Sequence, residues 1–146
     1  MYHRILVALE NGHADEALVP HVAELARMCG AELLLVHVAD GFVARNFDKL
    51  KLAESEEMKA DREYLERISA GLRAQGLVVN AQLAAGDPPA EILKAAEAAG
   101  CDLIAMTTHG HRLLKDLVLG STIEPVRHRA SVPVLLVRAP GKESPK

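Results

Sequence analysis

Five short runs of mainly apolar residues are spaced along the chain and alternate with longer amphipathic stretches. They are Ile5–Leu9, Leu33–Val38, Leu77–Leu83, Cys101–Met106 and Val132–Val137. Continuous apolar runs of this length are typical of β-strands that are covered on both faces. The third run alternates between apolar and polar residues less cleanly, so we predict that this strand lies nearer an edge of the sheet.

The stretches between these runs carry apolar residues at helical spacing. We predict helices over Ala14–Met28, over Glu54–Gln75, from Asp87 to Gly100, and from Thr122 through His128. Gly30, Gly76 and Gly100 end three of these stretches, and glycine is the residue that most often follows a helix. Asp87 precedes two prolines, so it is a candidate N-cap with proline in the first turn.

Strands that alternate with helices predict an α/β fold. The expected architecture is one doubly wound, Rossmann-like domain over residues 1–140, with a five-stranded parallel sheet and helices on both faces. We expect residues 141–146 to be a polar C-terminal tail. In such sheets ligands bind at the carboxyl ends of the strands, where the winding reverses.

The composition narrows the class of protein. The chain has 146 residues, 49% of them apolar and 25% charged, which is ordinary for a soluble globular protein. Its net charge of −3 argues against nucleic acid as a partner, since a binder would carry a basic stripe. No apolar run approaches the roughly 18 residues that span a membrane, and the first residues do not show the longer apolar region and cleavage site that a signal peptide would have. Cys29 and Cys101 lie far apart without metal-ligand spacing, so we expect a cytoplasmic protein with reduced cysteines.

The segment between the fourth apolar run and the last predicted helix has the features of a phosphate-binding loop. It contains Gly110 and Gly120, and Ser121 is placed to cap the helix and to offer a hydroxyl group. Free backbone N–H groups and the positive end of the helix dipole converge at such a helix start. His111 and Arg112 begin the intervening segment. A loop with two glycines before a capped helix also occurs in many α/β proteins that bind no phosphate.

Further candidate contacts lie at the ends of the first, second and fourth runs: Ala8, Leu9, Glu10, Val38, Met106 and Thr107. The carboxyl ends of parallel strands meet at the same edge of a sheet. If the first and fourth strands are neighbours, Glu10 faces the loop of Gly110 and Gly120 across a crevice. The sequence therefore predicts one site at this edge.

The spacing of Gly110, nine further residues, Gly120 and Ser121 carries a family resemblance. The chain resembles the universal stress protein family of the adenine-nucleotide-binding type, whose motif also has a glycine three residues before the first of these. Here Thr107 stands at that position. Other matches run along the chain: Ile5-Leu6-Val7, Val36-His37-Val38, Gly86-Asp87-Pro88 and Val132–Val137.

The resemblance implies the strand order 3-2-1-4-5, with ATP or AMP lying across the first and fourth strands. The implied nucleotide contacts are Ala8, Leu9, Glu10, Val38, Met106, Thr107, Gly110, His111, Arg112, Gly120, Ser121 and Thr122. Adenine is implied near Ala8, Leu9 and Val38, and ribose and phosphates near Gly110, Gly120, Ser121 and Thr122. Glu10 stands where many relatives carry an aspartate, and it is implied to contact ribose or a phosphate-bound Mg²⁺.

Thr107 leaves two interpretations open. Its β-branched side chain either crowds the sugar and phosphate or donates its hydroxyl to the ribose. If the side chain blocks the crevice, the alternative function is a nucleotide-free dimerisation and protein-interaction module.

The fifth strand indicates a partner. In the implied order it lies at a sheet edge, yet residues 134–137 are all apolar. An exposed apolar edge invites pairing, so we expect a homodimer through Val132 to Val137, antiparallel across a two-fold axis. The leading expectation is therefore a dimeric stress-response and signalling module that binds ATP or AMP.

Catalysis and protein-bound metal receive less support. The stretch 108–111 is similar to a signature of nucleotidyl-transferring enzymes, but that signature follows the first strand and this stretch follows the fourth. No carboxylate or cysteine joins His109, His111 and His128 into a metal site. We assign no catalytic residue and expect at most weak ATP hydrolysis. In the long connection after the second run, Phe42 and Phe47 either close over a base or anchor the connection to the domain.

Overall fold

One parallel sheet forms the centre of the protein. The computed structural model describes residues 1–39, 56–109 and 122–140. Within these ranges the strands are β1 (Arg4–Ala8), β2 (Glu32–Ala39), β3 (Val79–Ala85), β4 (Leu103–His109) and β5 (Val134–Ala139). They pair in the order β3-β2-β1-β4-β5, and every pair is parallel. The predicted class and strand order are confirmed.

Helices connect the strands. They are α1 (Asp15–Cys29), α2 (Glu56–Ala74), α3 (Pro88–Ala99) and α4, residues 122–129. Gly30 and Gly100 end α1 and α3 with φ of 69°, the left-handed conformation that glycine adopts without strain. Asp87 is the N-cap of α3, as predicted, and its carboxylate accepts a hydrogen bond from the N–H of Ala90 at 3.2 Å. None of the helices in the described ranges has the length and apolar character needed to cross a membrane.

The last three strands begin two residues later than their apolar runs. The N–H of Leu77 still bonds back to α2 at 3.3 Å, and that of Cys101 bonds back to α3 at 2.9 Å. Both residues therefore complete helix ends before strand pairing starts. Before β5, Pro133 has no N–H to donate. In addition, β4 continues to His109, beyond the predicted end at Met106.

The sheet separates two apolar cores. Because successive residues of a strand point to opposite faces, Ile5 and Val7 pack with α1 and α2, whereas Leu6 and Ala8 pack with α3 and α4. Helices therefore cover both faces, as predicted for a doubly wound domain. The chain winds outward from β1 to β3 and then returns to β4 beside β1. The carboxyl ends of β1 and β4 lie side by side at this reversal.

Candidate functional site

A cavity of about 250 Å³ opens at the carboxyl ends of β1, β2 and β4. The beginnings of α3 and α4 complete its wall. Its described lining consists of Ala8, Leu9, Glu10, Val36, His37, Val38, Pro88, Ile92, Met106, Thr107, Thr122 and Ile123. Most of these side chains are apolar, and a few polar groups lie among them, which is the usual character of a small-molecule site.

Seven of the residues selected from the sequence line this one cavity: Ala8, Leu9, Glu10, Val38, Met106, Thr107 and Thr122. The other five, Gly110, His111, Arg112, Gly120 and Ser121, lie outside the described residues, as do Phe42 and Phe47. The proposed phosphate loop therefore stays a prediction. Val36, His37, Pro88, Ile92 and Ile123 also line the cavity and were not selected as contacts. Three of them, Val36, His37 and Pro88, belong to tripeptides that carry the family resemblance in the sequence. That resemblance was the signal that could have identified them as contacts.

Thr107 on β4 contacts Glu10, which follows β1. The Thr107 hydroxyl donates a hydrogen bond to Oε2 of Glu10 at 3.1 Å, and the threonine is only 2% exposed. Thr107 also lines the cavity. The contact fixes the position of the Glu10 carboxylate at the cavity wall. The two roles that the sequence suggested for Thr107, crowding of the ligand and donation to ribose, stay predictions.

Asp15 holds the turn between β1 and α1. It is 2% exposed, and its carboxylate accepts hydrogen bonds from the N–H groups of Glu10 (2.9 Å) and Asn11 (2.8 Å). The Tyr64 hydroxyl from α2 donates to the same carboxylate at 2.6 Å. Burial and this hydrogen bond raise the pKa of Tyr64 above its usual value. Asp15 was not among the residues selected from the sequence. It is an acid in the first turn of α1, but the N–H groups that donate to it lie in the preceding turn and not in the helix.

A second polar contact lies beneath the same turn. His37 of β2 contributes to the cavity wall, and its Nδ1 lies 2.9 Å from the carbonyl oxygen of Leu9. Nε2 of the ring lies 3.3 Å from Oδ2 of Asp61 on α2. The other oxygen of Asp61 accepts a hydrogen bond from the side-chain amide of Asn11 at 2.6 Å. Residues from β2, α2 and the turn therefore meet behind the cavity.

The site combines apolar walls with a carboxylate held in place by a hydroxyl group. Apolar walls suit a flat ring such as a nucleobase, because contact with the ring removes apolar surface from water. A carboxylate accepts hydrogen bonds from hydroxyl groups and also attracts a cation. The arrangement therefore offers apolar surface to a flat ring and, at Glu10, an acceptor for a hydroxyl group or a partner for a cation.

Comparison with known proteins identifies the family. A sequence profile of the universal stress protein family matches residues 1–138. Universal stress protein MJ0577 of Methanocaldococcus jannaschii is 30% identical, over 94% of this chain and 96% of that protein. The chain belongs to the universal stress protein family.

Solved structures agree with this assignment. The structure of MJ0577 superimposes with a TM-score of 0.80 at 29% identity, covering 97% of this chain and 99% of that one. A universal stress protein of Archaeoglobus fulgidus in complex with dAMP has a TM-score of 0.67 at 21% identity, covering 93% and 98%. A universal stress protein in complex with cAMP has a TM-score of 0.69 at 17% identity, covering 94% and 98%. At such identities these two complexes show that the fold is shared.

Proposed function

We propose that this protein is a stress-response module that binds ATP or AMP in the cavity at the carboxyl ends of β1 and β4. The observation that carries the proposal is the convergence of seven residues, chosen from three distant parts of the sequence, on one cavity at the winding reversal. Two proteins of the same fold have been solved with the adenine nucleotides dAMP and cAMP. Both facts support a nucleotide as the ligand.

The proposed pose follows from the size and lining of the cavity. Its volume of about 250 Å³ lies just below the roughly 300–1,000 Å³ that is usual for small-molecule sites. It therefore suits the base and sugar rather than the whole nucleotide. Adenine would contact Ala8, Leu9 and Val38. The phosphates would extend from Thr122 toward the segment that begins at Gly110.

That segment would supply the phosphate contacts. Gly120 and Ser121 would present N–H groups at a helix start, and His111 and Arg112 would offset part of the phosphate charge. This assignment depends on the residue types and their spacing in the sequence.

Glu10 would contact either the ribose or a Mg²⁺ ion bound by the phosphates. The Thr107 hydroxyl holds its carboxylate beside the cavity in a defined position. With AMP, the hydroxyl groups of the ribose are suitable donors to this carboxylate. With ATP, a carboxylate near the phosphates would be repelled unless a cation lay between them. A dependence of ATP affinity on Mg²⁺ would therefore favour the second role.

The proposal is tested by mass spectrometry of small molecules released from the purified protein and by calorimetric titration with AMP and with ATP, with and without Mg²⁺. Ala8→Leu should fill part of the cavity and weaken binding at least about tenfold. Ala98→Leu makes the same change on the exposed face of α3 and serves as the control. If the wild-type protein binds neither nucleotide at millimolar concentration, the nucleotide-free interaction module is the better explanation.

We further propose that two copies pair through β5. This strand lies at an edge of the sheet, and Leu136 on it is 37% exposed although it is apolar. Antiparallel pairing with a second β5 would satisfy the free edge and cover this side chain.

Leu136→Lys should convert the dimer to monomers in sedimentation equilibrium, because the new charge would be buried in the interface. Val78→Lys also places a charge on an exposed apolar site, 56% exposed and next to the opposite edge strand, and should leave the dimer intact. A wild-type protein that remains monomeric, or a dimer that persists in Leu136→Lys, would exclude this interface.

A cytoplasmic location is also proposed. Both cysteines of the chain, Cys29 and Cys101, are free thiols, as is usual in a reducing compartment.

A further inference from the structure

The turn between β1 and α1 is folded around a single carboxylate, that of Asp15, which is 2% exposed. Three successive N–H groups donate to it, those of Glu10 (2.9 Å), Asn11 (2.8 Å) and Gly12 (3.4 Å). Asn11 has a φ of 60°, in the left-handed region that is uncommon for residues other than glycine. Such conformations persist where the surroundings determine them. The path of this turn therefore depends on where the Asp15 carboxylate lies.

A hydroxyl group from another helix reaches the same carboxylate. The Tyr64 hydroxyl of α2 donates to Oδ2 of Asp15 at 2.6 Å, and Oδ2 also accepts the N–H of Asn11. Hydrogen bonds to a carboxylate are among the stronger ones in proteins, and this distance is typical of them. Burial and the bond to Asp15 raise the pKa of Tyr64, so the hydroxyl keeps its proton and stays a donor through the neutral range. Tyr64 therefore fixes the orientation of the carboxylate that holds the turn.

The same helix contacts the turn at a second point. The side-chain amide of Asn11 donates to Oδ1 of Asp61 at 2.6 Å. Asp61 and Tyr64 are three residues apart on α2, so they lie on the same face of that helix. This face of α2 is therefore directed at the β1–α1 turn, and Tyr64 reaches past the surface of the turn to its buried carboxylate.

The turn carries Glu10, which lines the cavity. Two contacts hold Glu10 from different directions. Its N–H donates to Asp15, and its carboxylate accepts the hydroxyl of Thr107 at 3.1 Å. Thr107 acts on the side chain, whereas Asp15 acts on the backbone from which that side chain extends. The position of the carboxylate in the cavity wall depends on both contacts.

We propose that Tyr64 is a positioning residue for the nucleotide site: by orienting the Asp15 carboxylate it sets the backbone of Glu10, and so places the Glu10 carboxylate for the hydroxyl groups of the ribose. Tyr64 is not among the residues of the described cavity wall. It acts on the ligand only through Asp15 and Glu10. The inference rests on the proposed function, since it assigns a residue outside the cavity to that site.

The variant Tyr64→Phe isolates the hydroxyl group, because it keeps the aromatic ring. The chain has two tyrosines, Tyr2 and Tyr64, and both are partly buried and pack against the same apolar core. Tyr2 precedes β1 and so lies at the opposite edge of the sheet from the cavity. Tyr2→Phe therefore makes the same chemical change away from the site and is the matched control.

The first measurement is the affinity for AMP by calorimetry without Mg²⁺, at a temperature at which circular dichroism shows every variant to be folded. Tyr64→Phe should bind about fivefold more weakly than the wild type, and Tyr2→Phe should bind within about twofold of it. Glu10→Ala should weaken binding by about tenfold and still leave it measurable. In the Glu10→Ala background, Tyr64→Phe should cost less than about twofold, because no carboxylate remains for the turn to position.

The second measurement is hydrogen exchange of the Glu10 and Asn11 amides in the ligand-free proteins. Both amides donate to Asp15. If Tyr64 orients this carboxylate, exchange at both positions should be on the order of fivefold faster in Tyr64→Phe than in Tyr2→Phe.

The outcomes separate the two proposals. A wild-type protein that binds no AMP overturns the proposed function. If the wild type binds AMP and Tyr64→Phe binds it as tightly as Tyr2→Phe does, the positioning role alone is overturned. Equal losses from Tyr64→Phe with and without the Glu10 side chain would show that Tyr64 acts on the fold rather than through Glu10, which also overturns the role. Unchanged exchange of the two amides would do the same.

Discussion

The two ends of β1 and β4 use polar side chains in different ways. At the amino ends, the carboxylate of Asp102 accepts hydrogen bonds from the N–H groups of His3 (2.9 Å) and Arg4 (3.1 Å). The guanidinium of Arg4 continues across the sheet to Glu32 of β2 at 3.0 Å. At the carboxyl ends, Glu10 and Thr107 pair at the wall of an open cavity. Polar side chains thus link the strands to each other at their amino ends, whereas at the carboxyl ends they line a cavity.

The difference follows from the direction of the helices in a parallel α/β fold. Helices end at the amino edge of the sheet, where Gly30 and Gly100 complete them and the next strand starts within three residues. Helices begin at the carboxyl edge and bring free N–H donors there. A carboxylate of the protein can accept from such a donor, as Asp87 does from the N–H of Ala90 in α3, and an anionic ligand can do the same. Groups that stabilise the fold and groups that would bind a ligand therefore lie at the same edge of the sheet.

The largest expected effect is a loss of stability at the carboxyl edge of the sheet. It would show that the edge with the cavity also stabilises the fold. Asp15→Ala removes, at the carboxyl edge, the acceptor for the N–H groups of Glu10 and Asn11 and for the Tyr64 hydroxyl. Because Asp15 is buried, we expect a loss of about 3 kcal/mol in the free energy of unfolding, measured by guanidinium denaturation. Glu16→Ala, at the next and exposed position, should change it by less than about 0.5 kcal/mol. Equal losses in the two variants would contradict the role given to Asp15.

A smaller effect is expected for the hydrogen bond between Thr107 and Glu10 at the carboxyl edge. Thr107→Val keeps the shape of the side chain and removes the hydrogen bond to Glu10. We expect the affinity for AMP to fall about fivefold in calorimetry, which corresponds to about 1 kcal/mol, because the Glu10 carboxylate is then less well positioned. Thr107→Ser should restore most of the affinity. If Thr107→Val lowers the unfolding free energy and leaves the affinity unchanged, this pair is structural.

The smallest expected effect is the change in stability when Asp102, at the amino edge of the sheet, is replaced. Burial alone would raise the pKa of Asp102, but the N–H groups of Arg4 and His3 and the His3 side chain outweigh it and hold the pKa below its usual value. A depressed pKa in the folded state stabilises the protein at pH values above the unfolded pKa, and this contribution is lost as the pH falls through the folded pKa. Asp102→Asn should therefore lower the unfolding free energy at neutral pH by less than about 1 kcal/mol, since the side chain is partly exposed.

The difference between wild type and Asp102→Asn should shrink as denaturation is repeated at more acidic pH. The AMP affinity of Asp102→Asn should match that of the wild type, because Asp102 lies at the opposite edge from the cavity. A difference in stability that grows toward acidic pH would contradict the assigned sign.

Sequence and structure agree where a local pattern is sufficient. The apolar runs predicted all five strands, and Gly30, Gly100 and Asp87 marked helix ends, because each signal depends on residues within one or two turns. The starts of the later strands were predicted too early. Leu77 and Cys101 are apolar, as strand residues are, but their N–H groups bond to the preceding helix. Composition does not distinguish these two environments.

The apolar runs and the amphipathic stretches between them predicted the α/β class and, with it, the edge of the sheet where ligands bind. The resemblance to the family implied the strand order. The partners of the polar side chains became known only from the folded protein. Thr107 and Glu10 are 97 residues apart, and Asp61 lies 50 residues from Asn11. Such pairs have no local signature, since they depend on how the sheet winds and on which helix face meets which strand end. The polar contacts at the cavity wall therefore follow from the topology of the sheet. No local sequence pattern predicts them.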